Sequence, residues 1–263
     1  MYEQDLFNEP TWIPPLELPD LSKETIIAID VETRDPRLLS HGPGWSRNDG
    51  NLIGIAVSSS TWTGYLPIAH EGGGNLSKNV VVRWLKEQLK HGMSVVFHNA
   101  QYDLGWLATE GIEIPGTILE NRFSYSLNAL GATYLGEKKK EDELRLAASQ
   151  HGVDAKKEMW KLPASRVAGY AETDARLTLQ LWHVLRRKLA EDKCDQILDL
   201  ELALLPIVFK MRRQGVRVDL EKAEATKKLL LGKEQKLLLE VKKETGVDIE
   251  PWTATSLASA FDK

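Results

Sequence analysis

Apolar positions along this chain follow two regimes. Up to about residue 110, short apolar and β-branched runs of strand length alternate with stretches whose apolar positions recur every three or four residues. Beyond that point only the helical period persists. Residues 25–31, 52–58 and 61–67 read as strands, with the polar "SSST" a hairpin turn between the last two. "SHGPGWSRNDGN" (residues 40–51) has the glycine and polar content of a loop. "KNVVVRWLKEQLK" (78–90) predicts a helix, "SVVFH" (94–98) a fourth strand, and residues 99–110 a helix. Helices are then expected over 123–135, 140–150 and 165–190. From residue 195 two long amphipathic patterns follow, broken by "QGVRVD" (214–219). Residues 1–20 carry Pro10, Pro14, Pro15 and Pro19 with little periodicity, the mark of an extended arm. Strands mixed with helices, then helices alone, imply an α/β domain followed by an all-α segment. The expected division is 1–20, 21–192 and 193–263.

Composition narrows the class without deciding it. At 263 residues, 42% hydrophobic and 27% charged, the chain can bury one sizeable core and a smaller one. No apolar run approaches the ~20 residues of a membrane span, and the start lacks a basic-then-apolar secretory pattern. The single cysteine, Cys194, excludes an internal disulfide and cysteine-rich zinc sites, and suits the reducing cytoplasm. The net charge of −4 argues against a protein that coats nucleic acid, though not against an enzyme that touches it locally. The basic clusters at 137–141 ("EKKKE"), Lys156-Lys157, 186–188 and 210–213 read as solvated faces.

Candidate chemistry begins at "IIAIDVET" (26–33), where an apolar run meets Asp30 and Glu32. Side chains on a strand alternate faces, so the two acids point together while Val31 points away. Either the strand has surfaced and both acids are solvated, or a cation lies between them, since unscreened like charges repel. In "FHNAQYDLGWL" (97–107), Asn99 stands at an N-cap position and Asp103 one turn on, a pattern that helix capping alone also favours. In "VAGYAETDARLTLQLW" (167–182), Tyr170 and Asp174 share a helix face that Leu177 and Leu181 continue, which predicts burial against the sheet. Together the three stretches supply four carboxylates and a phenol, a hard-oxygen set suited to Mg²⁺ or Mn²⁺ rather than zinc.

Asp30, Glu32, Asp103 and Asp174 with Tyr170, in this order, resemble the three motifs of the DEDDy 3′–5′ exonucleases, which have a ribonuclease H-like fold: a mixed sheet flanked by helices. The chain is similar in particular to the proofreading domain of bacteriophage family A DNA polymerases. That similarity is carried by "ETRDPRL", "GPGW", "YLPIAHEGGGN", "HNAQYDLGWL", "ENRFSYSLNALGATYLGE" and "YAETDARLTLQLW". "LELALLPIVFKMRRQGVRVDLEKAE" (200–224) and "TATSLASAFDK" resemble the entry into that family's polymerase region, but neither its "DYSQIE" strand nor its "HDE" turn is present. The resemblance implies removal of nucleotides from DNA 3′ ends, single-stranded or frayed, with two divalent ions (Mg²⁺ or Mn²⁺). It implies a polymerase region in cis or on a separate chain, no membrane, and a cytoplasmic setting, that of the host if the source is viral. It also implies that Asp30, Glu32 and Asp174 hold one ion and that Asp30 bridges to a second, near which Asp103 acts. By the same resemblance Tyr170 orients the attacking water, and Asn99 positions Asp103 or the terminal nucleotide. Thr33, Arg34, His98 and Tyr102 are then expected at the substrate.

One departure stands out. Between "GIEIPGTIL" and "ENRFSYS" the family carries an acidic-then-apolar "DTM…ALL" stretch, whereas here Leu119 runs directly into Glu120. The expectation is that residues are missing from the sequence as read at this junction; a true loss would put activity in doubt. Two other functions fit parts of the pattern: RNA 3′ trimming of the ribonuclease D kind, and a non-catalytic scaffold that binds DNA.

Overall fold

The computed structural model describes residues 12–120 and 126–261. In chain order the elements are β1 (Ile26–Arg34), α1 (Leu38–His41), β2 (Asn51–Ser58), β3 (Thr63–Pro67), α2 (Lys78–Leu89), β4 (Ser94–Phe97), α3 (Ala100–Thr109) and β5 (Ile118–Glu120). There follow α4 (Leu127–Tyr134), α5 (Glu141–Gln150), α6 (Ala164–Glu191), α7 (Asp195–Gln214), α8 (Leu220–Thr245) and α9 (Ala254–Phe261). The strands form one sheet in the order β3-β2-β1-β4-β5. β1, β2 and β3 pair antiparallel, and β4 and β5 add on in parallel. Helices cover both faces, the mixed ribonuclease H-like arrangement expected from the sequence, and a helical segment follows. The hairpin at "SSST" is closed by Ser59 N–H donating to Trp62 O at 2.7 Å. The first residues of the helix expected over 123–135 lie outside the described residues, as do those of the N-terminal arm up to residue 11.

Period-two alternation along β1 sorts its side chains between the two faces. Ile27, Ile29 and Val31 join a core with Val81, Leu85 and Leu89 of α2 and Leu104 and Leu107 of α3. Ala28 faces the other way, into a cluster with Leu179 and Trp182 of α6. Asp30 and Glu32 share the parity of Ala28 and so open toward α6. That helix approaches the sheet closely because its facing positions are small: Ala168, Ala171 and Ala175 pack with Ala56 and Tyr65.

Leu177 and Leu181 depart from expectation. They are fully buried, but they pack with Leu127 and Leu130 of α4 rather than against the sheet. The alanine stripe takes the sheet-facing side of α6, with Tyr170 packed at its edge, and Leu177 and Leu181 are turned toward α4. Asp174 shares a cleft with Asp30 and Glu32 of β1.

The loop expected over residues 40–51 contains the end of α1 and a 3-10 turn at Gly44–Ser46. Its Trp45 lies on Gly105 of α3 so closely that a Cβ there would meet the indole at 2.2 Å. Trp45 also contacts Phe209 of α7 at a ring-centroid separation of 5.8 Å. Leu198 of α7 is buried, and Leu205 and Phe209 pack on the core. By packing, the chain consequently divides into one compact unit ending at Arg213 and a second beginning at Gln214. The division expected after residue 192 falls inside the first unit, because α7 has apolar residues that this unit buries. In the second unit Asp219 caps α8 through Lys222 N–H at 3.0 Å, and Gly246 ends it in the left-handed region at φ 72°. Among the described residues no helix is long and apolar enough to cross a membrane.

Leu119 and Glu120 lie in β5, paired in register with Val96 and Phe97. Glu120 itself brings an acid to the end of the sheet: its Oε2 accepts the N–H of Ala100 at 3.1 Å, at the start of α3.

Candidate active site

Three separate stretches deliver their acids to one cleft of about 600 Å³. Asp30 and Glu32 come from β1, Asp103 from the first turn of α3, and Tyr170 with Asp174 from α6; His98, Asn99, Tyr102 and Lys139 are among the other lining residues. Glu32, Asp103 and Asp174 are 8%, 5% and 3% exposed and Asp30 is half-buried, so Glu32 at least is not a solvated acid on a surfaced strand. Asp103 is fixed by accepting Val31 N–H on Oδ1 at 3.1 Å, the peptide between the two β1 acids.

Burial and mutual repulsion shape the electrostatics. Burial, with Asp174 alongside, pushes Asp30 up to about 7. Burial and then Asp30 raise Glu32 well above the carboxylate range, and burial with Asp30 and Glu120 does the same to Asp103. Asp174 reaches about 6, where burial outweighs the pull of Lys139. Lys139 forms an ion pair with Asp174 Oδ2 and donates to Tyr170 OH at 2.9 Å, with its ammonium 4.7 Å from that ring's centroid. Burial works against the Lys139 charge, yet Asp174 and Asp30 outweigh it and hold its pKa above the ordinary lysine value. Burial, with Asp174 next, raises the Tyr170 phenol, which keeps it protonated.

The donor set suits a hard divalent cation: four carboxylates, with Oε1 of Glu32 and Oδ1 of Asp174 buried and without a hydrogen-bond partner. Among the described residues, no three of these side chains stand in an arrangement that would hold a metal ion directly. The oxygen ligands are gathered but not drawn tight around a common point, and a lysine lies among them.

The remaining expected residues divide between the acid cleft and an adjoining one of about 410 Å³. Thr33 and Tyr102 are joined Oγ1 to OH at 2.7 Å on the wall of the second, and Asn99 lines both. Asn99 is the N-cap residue of α3, but its side chain makes no capping bond; Glu120 accepts the adjacent Ala100 N–H. Arg34 lines neither cleft and stacks on Trp160 at 4.2 Å. The sequence reading missed two groups. Lys139 stood inside a run taken as a solvated face, and Glu120 at a junction taken as a gap. A demand for positive charge beside four clustered acids would have pointed to the run of lysines, though not to which of them turns inward.

Residues 18–190 match a family model described as 3′-5′ exonuclease. A DNA-directed DNA polymerase of Pseudomonas phage M6 is 37% identical over 95% of this chain and 41% of its own length. DNA polymerase DpoZ of Salmonella phage PMBT28 is 26% identical over 93% of this chain and 39% of its own. The chain thus spans about two fifths of the length of these curated relatives. Among solved structures, Brucella melitensis NrnC with bound Mg²⁺ is 19% identical over 75% of this chain and 90% of that one, with a TM-score of 0.47, a distance at which the likeness bears on no chemistry here. By the model match and the phage relative, the chain belongs to the 3′–5′ exonuclease family of the family A DNA polymerases.

Proposed function

We propose that this chain removes nucleotides one at a time from DNA 3′ ends as the editing part of a family A polymerase, with divalent metal ions at the acid cluster. The observation that carries this reading is the convergence of Asp30, Glu32, Asp103 and Asp174 in one cleft, with buried oxygens of Glu32 and Asp174 left unbonded. Asp30, Glu32 and Asp174 would hold one Mg²⁺ or Mn²⁺ ion, and Asp30 with Asp103 a second. Bound divalent ions would supply Lewis acidity, making a water nucleophilic near neutral pH and stabilising charge on the phosphate and the leaving oxygen.

The chain's own residues supply position. Asp103, tied to the Val31 peptide, keeps its carboxylate in register with the two β1 acids. Tyr170, held protonated by burial and by Asp174, presents a hydroxyl that orients the attacking water without acting as a base. Asn99 lies where it can meet both Asp103 and a terminal nucleotide, since it lines both clefts. The bonded Thr33–Tyr102 pair forms a wall against which the last nucleotide rests. A polymerase region in cis is supported by the phage relatives, whose length exceeds this chain's more than twofold.

The test uses 5′-labelled single-stranded DNA, a primer–template with a 3′ mismatch, and RNA, each with Mg²⁺ or Mn²⁺. Stepwise shortening of DNA from its 3′ end, stopped by EDTA, is expected. No digestion with either metal would overturn the reading, and RNA degraded faster than DNA would overturn its substrate.

A further inference from the structure

Lys139 is delivered into the acid cluster by a loop fixed at several points. Its own N–H donates to Asn128 Oδ1 of α4 at 3.1 Å. Glu137, two residues earlier, accepts from Arg176 of α6 with both carboxylate oxygens, at 2.9 Å from Nη1. Gly136 takes φ 69°, a left-handed conformation that glycine adopts without strain, where the chain leaves α4. Of three consecutive lysines, Lys138 and Lys140 are exposed while the Lys139 side chain is 15% exposed. Its ammonium pairs with Asp174, hydrogen-bonds Tyr170 and acts on Asp30 and Glu32 as well. Four acids crowded together, three of them buried, need positive charge, and this residue supplies it in the arrangement seen here.

We propose that Lys139 is the resident counter-cation of the acid cluster: it holds Asp174 and Tyr170 while no metal is bound, and hands Asp174 over when a divalent ion arrives. The inference rests on the nuclease reading, and it makes Lys139 a positioning residue that acts through Asp174. Lysine and metal then compete for one carboxylate, and each weakens the other by the same factor. A residue that merely supported the fold would not behave so, because its loss would leave metal binding unchanged or weaker.

The test is calorimetric titration of the protein with Mn²⁺, without DNA. K139M keeps the stem and removes the charge; it is expected to bind Mn²⁺ about tenfold more tightly than wild type, and K139R to return toward wild type. On the unmutated protein, acetylation of lysines read by mass spectrometry is expected to rise severalfold at Lys139 when Mn²⁺ is added, with Lys138 and Lys140 unchanged. Affinity in K139M equal to or weaker than wild type would overturn the proposal. So would unchanged Lys139 labelling, which decides the matter should K139M not fold. If wild type binds Mn²⁺ and degrades DNA while these shifts are absent, only the counter-cation role fails. If wild type binds no Mn²⁺ at all, the nuclease reading fails and this inference with it.

Discussion

The N–H of Val31 donates to Oδ1 of Asp103 at 3.1 Å, so the acid of α3 is bonded to the peptide that separates Asp30 from Glu32. One hydrogen bond thereby joins two of the three sequence stretches that build the site. Asp103 has a structural duty through one oxygen, and the proposed function gives the other its chemistry. Asp103→Asn keeps an oxygen acceptor and removes a buried acid whose ionisation is disfavoured. It is expected to fold with unchanged or raised thermal stability and to lose nuclease activity. Asp103→Ala leaves the Val31 N–H unsatisfied, at a cost of about 1–3 kcal/mol. Thermal melts of the two variants beside activity separate the roles; equal melting temperatures would contradict this division.

Glu120 makes a second such link, from β5 to the first N–H of α3. Glu120→Gln retains the acceptor and is expected to leave stability near wild type. Glu120→Ala removes an N-terminal helix partner and should cost about 1 kcal/mol. It should also lower activity, since α3 carries Asn99 at its cap and Asp103 in its first turn. Urea denaturation of both variants checks this; an Ala variant as stable as the Gln one would show that the bond contributes nothing.

Raised carboxyl pKa values link stability to pH with a definite sign. Asp30 moves from 3.8 to about 7 on folding and Asp174 from 3.8 to about 6, so between these limits the folded chain binds more protons than the unfolded one. Their contribution is favourable below 3.8 and is lost as pH rises through about 7. A divalent ion that neutralises the ionised cluster removes this penalty. The rise in melting temperature on adding Mg²⁺ in place of EDTA is therefore expected to grow between about pH 5 and about pH 8. His70, buried on Tyr65 OH and Leu162 O and pushed down to about 4, titrates in both samples and cancels in the difference. Calorimetric scans with and without Mg²⁺ measure it; a shift independent of pH would contradict the account.

The sheet and its acids were legible because their signals are local. β1 shows a strand's apolar run and a period-two pair of acids, and α6 shows four-residue spacing from Tyr170 to Asp174. What escaped depended on contacts distant in sequence. Nothing in three consecutive lysines says which one turns inward; Asn128 and the Glu137–Arg176 pair decide that. β5 is three residues long, too short for periodicity to register, and Glu120 acquires meaning only where it meets the start of α3. Leu177 and Leu181 share the Asp174 stripe as spacing predicts. Which neighbour that stripe meets depended on the alanines that took the sheet-facing side.

The central claim is that Asp30, half-buried beside the buried acids Glu32, Asp103 and Asp174, serves the proposed catalysis at a cost to the fold. The most direct measurement pairs release of a 3′-terminal labelled nucleotide in Mg²⁺ with the melting temperature in EDTA, for wild type and Asp30→Asn. The account predicts release slowed by about 10²-fold or more together with a melting temperature in EDTA at least as high as wild type. An Asp30→Asn protein that releases nucleotide at the wild-type rate, or that melts well below wild type in EDTA, would contradict it.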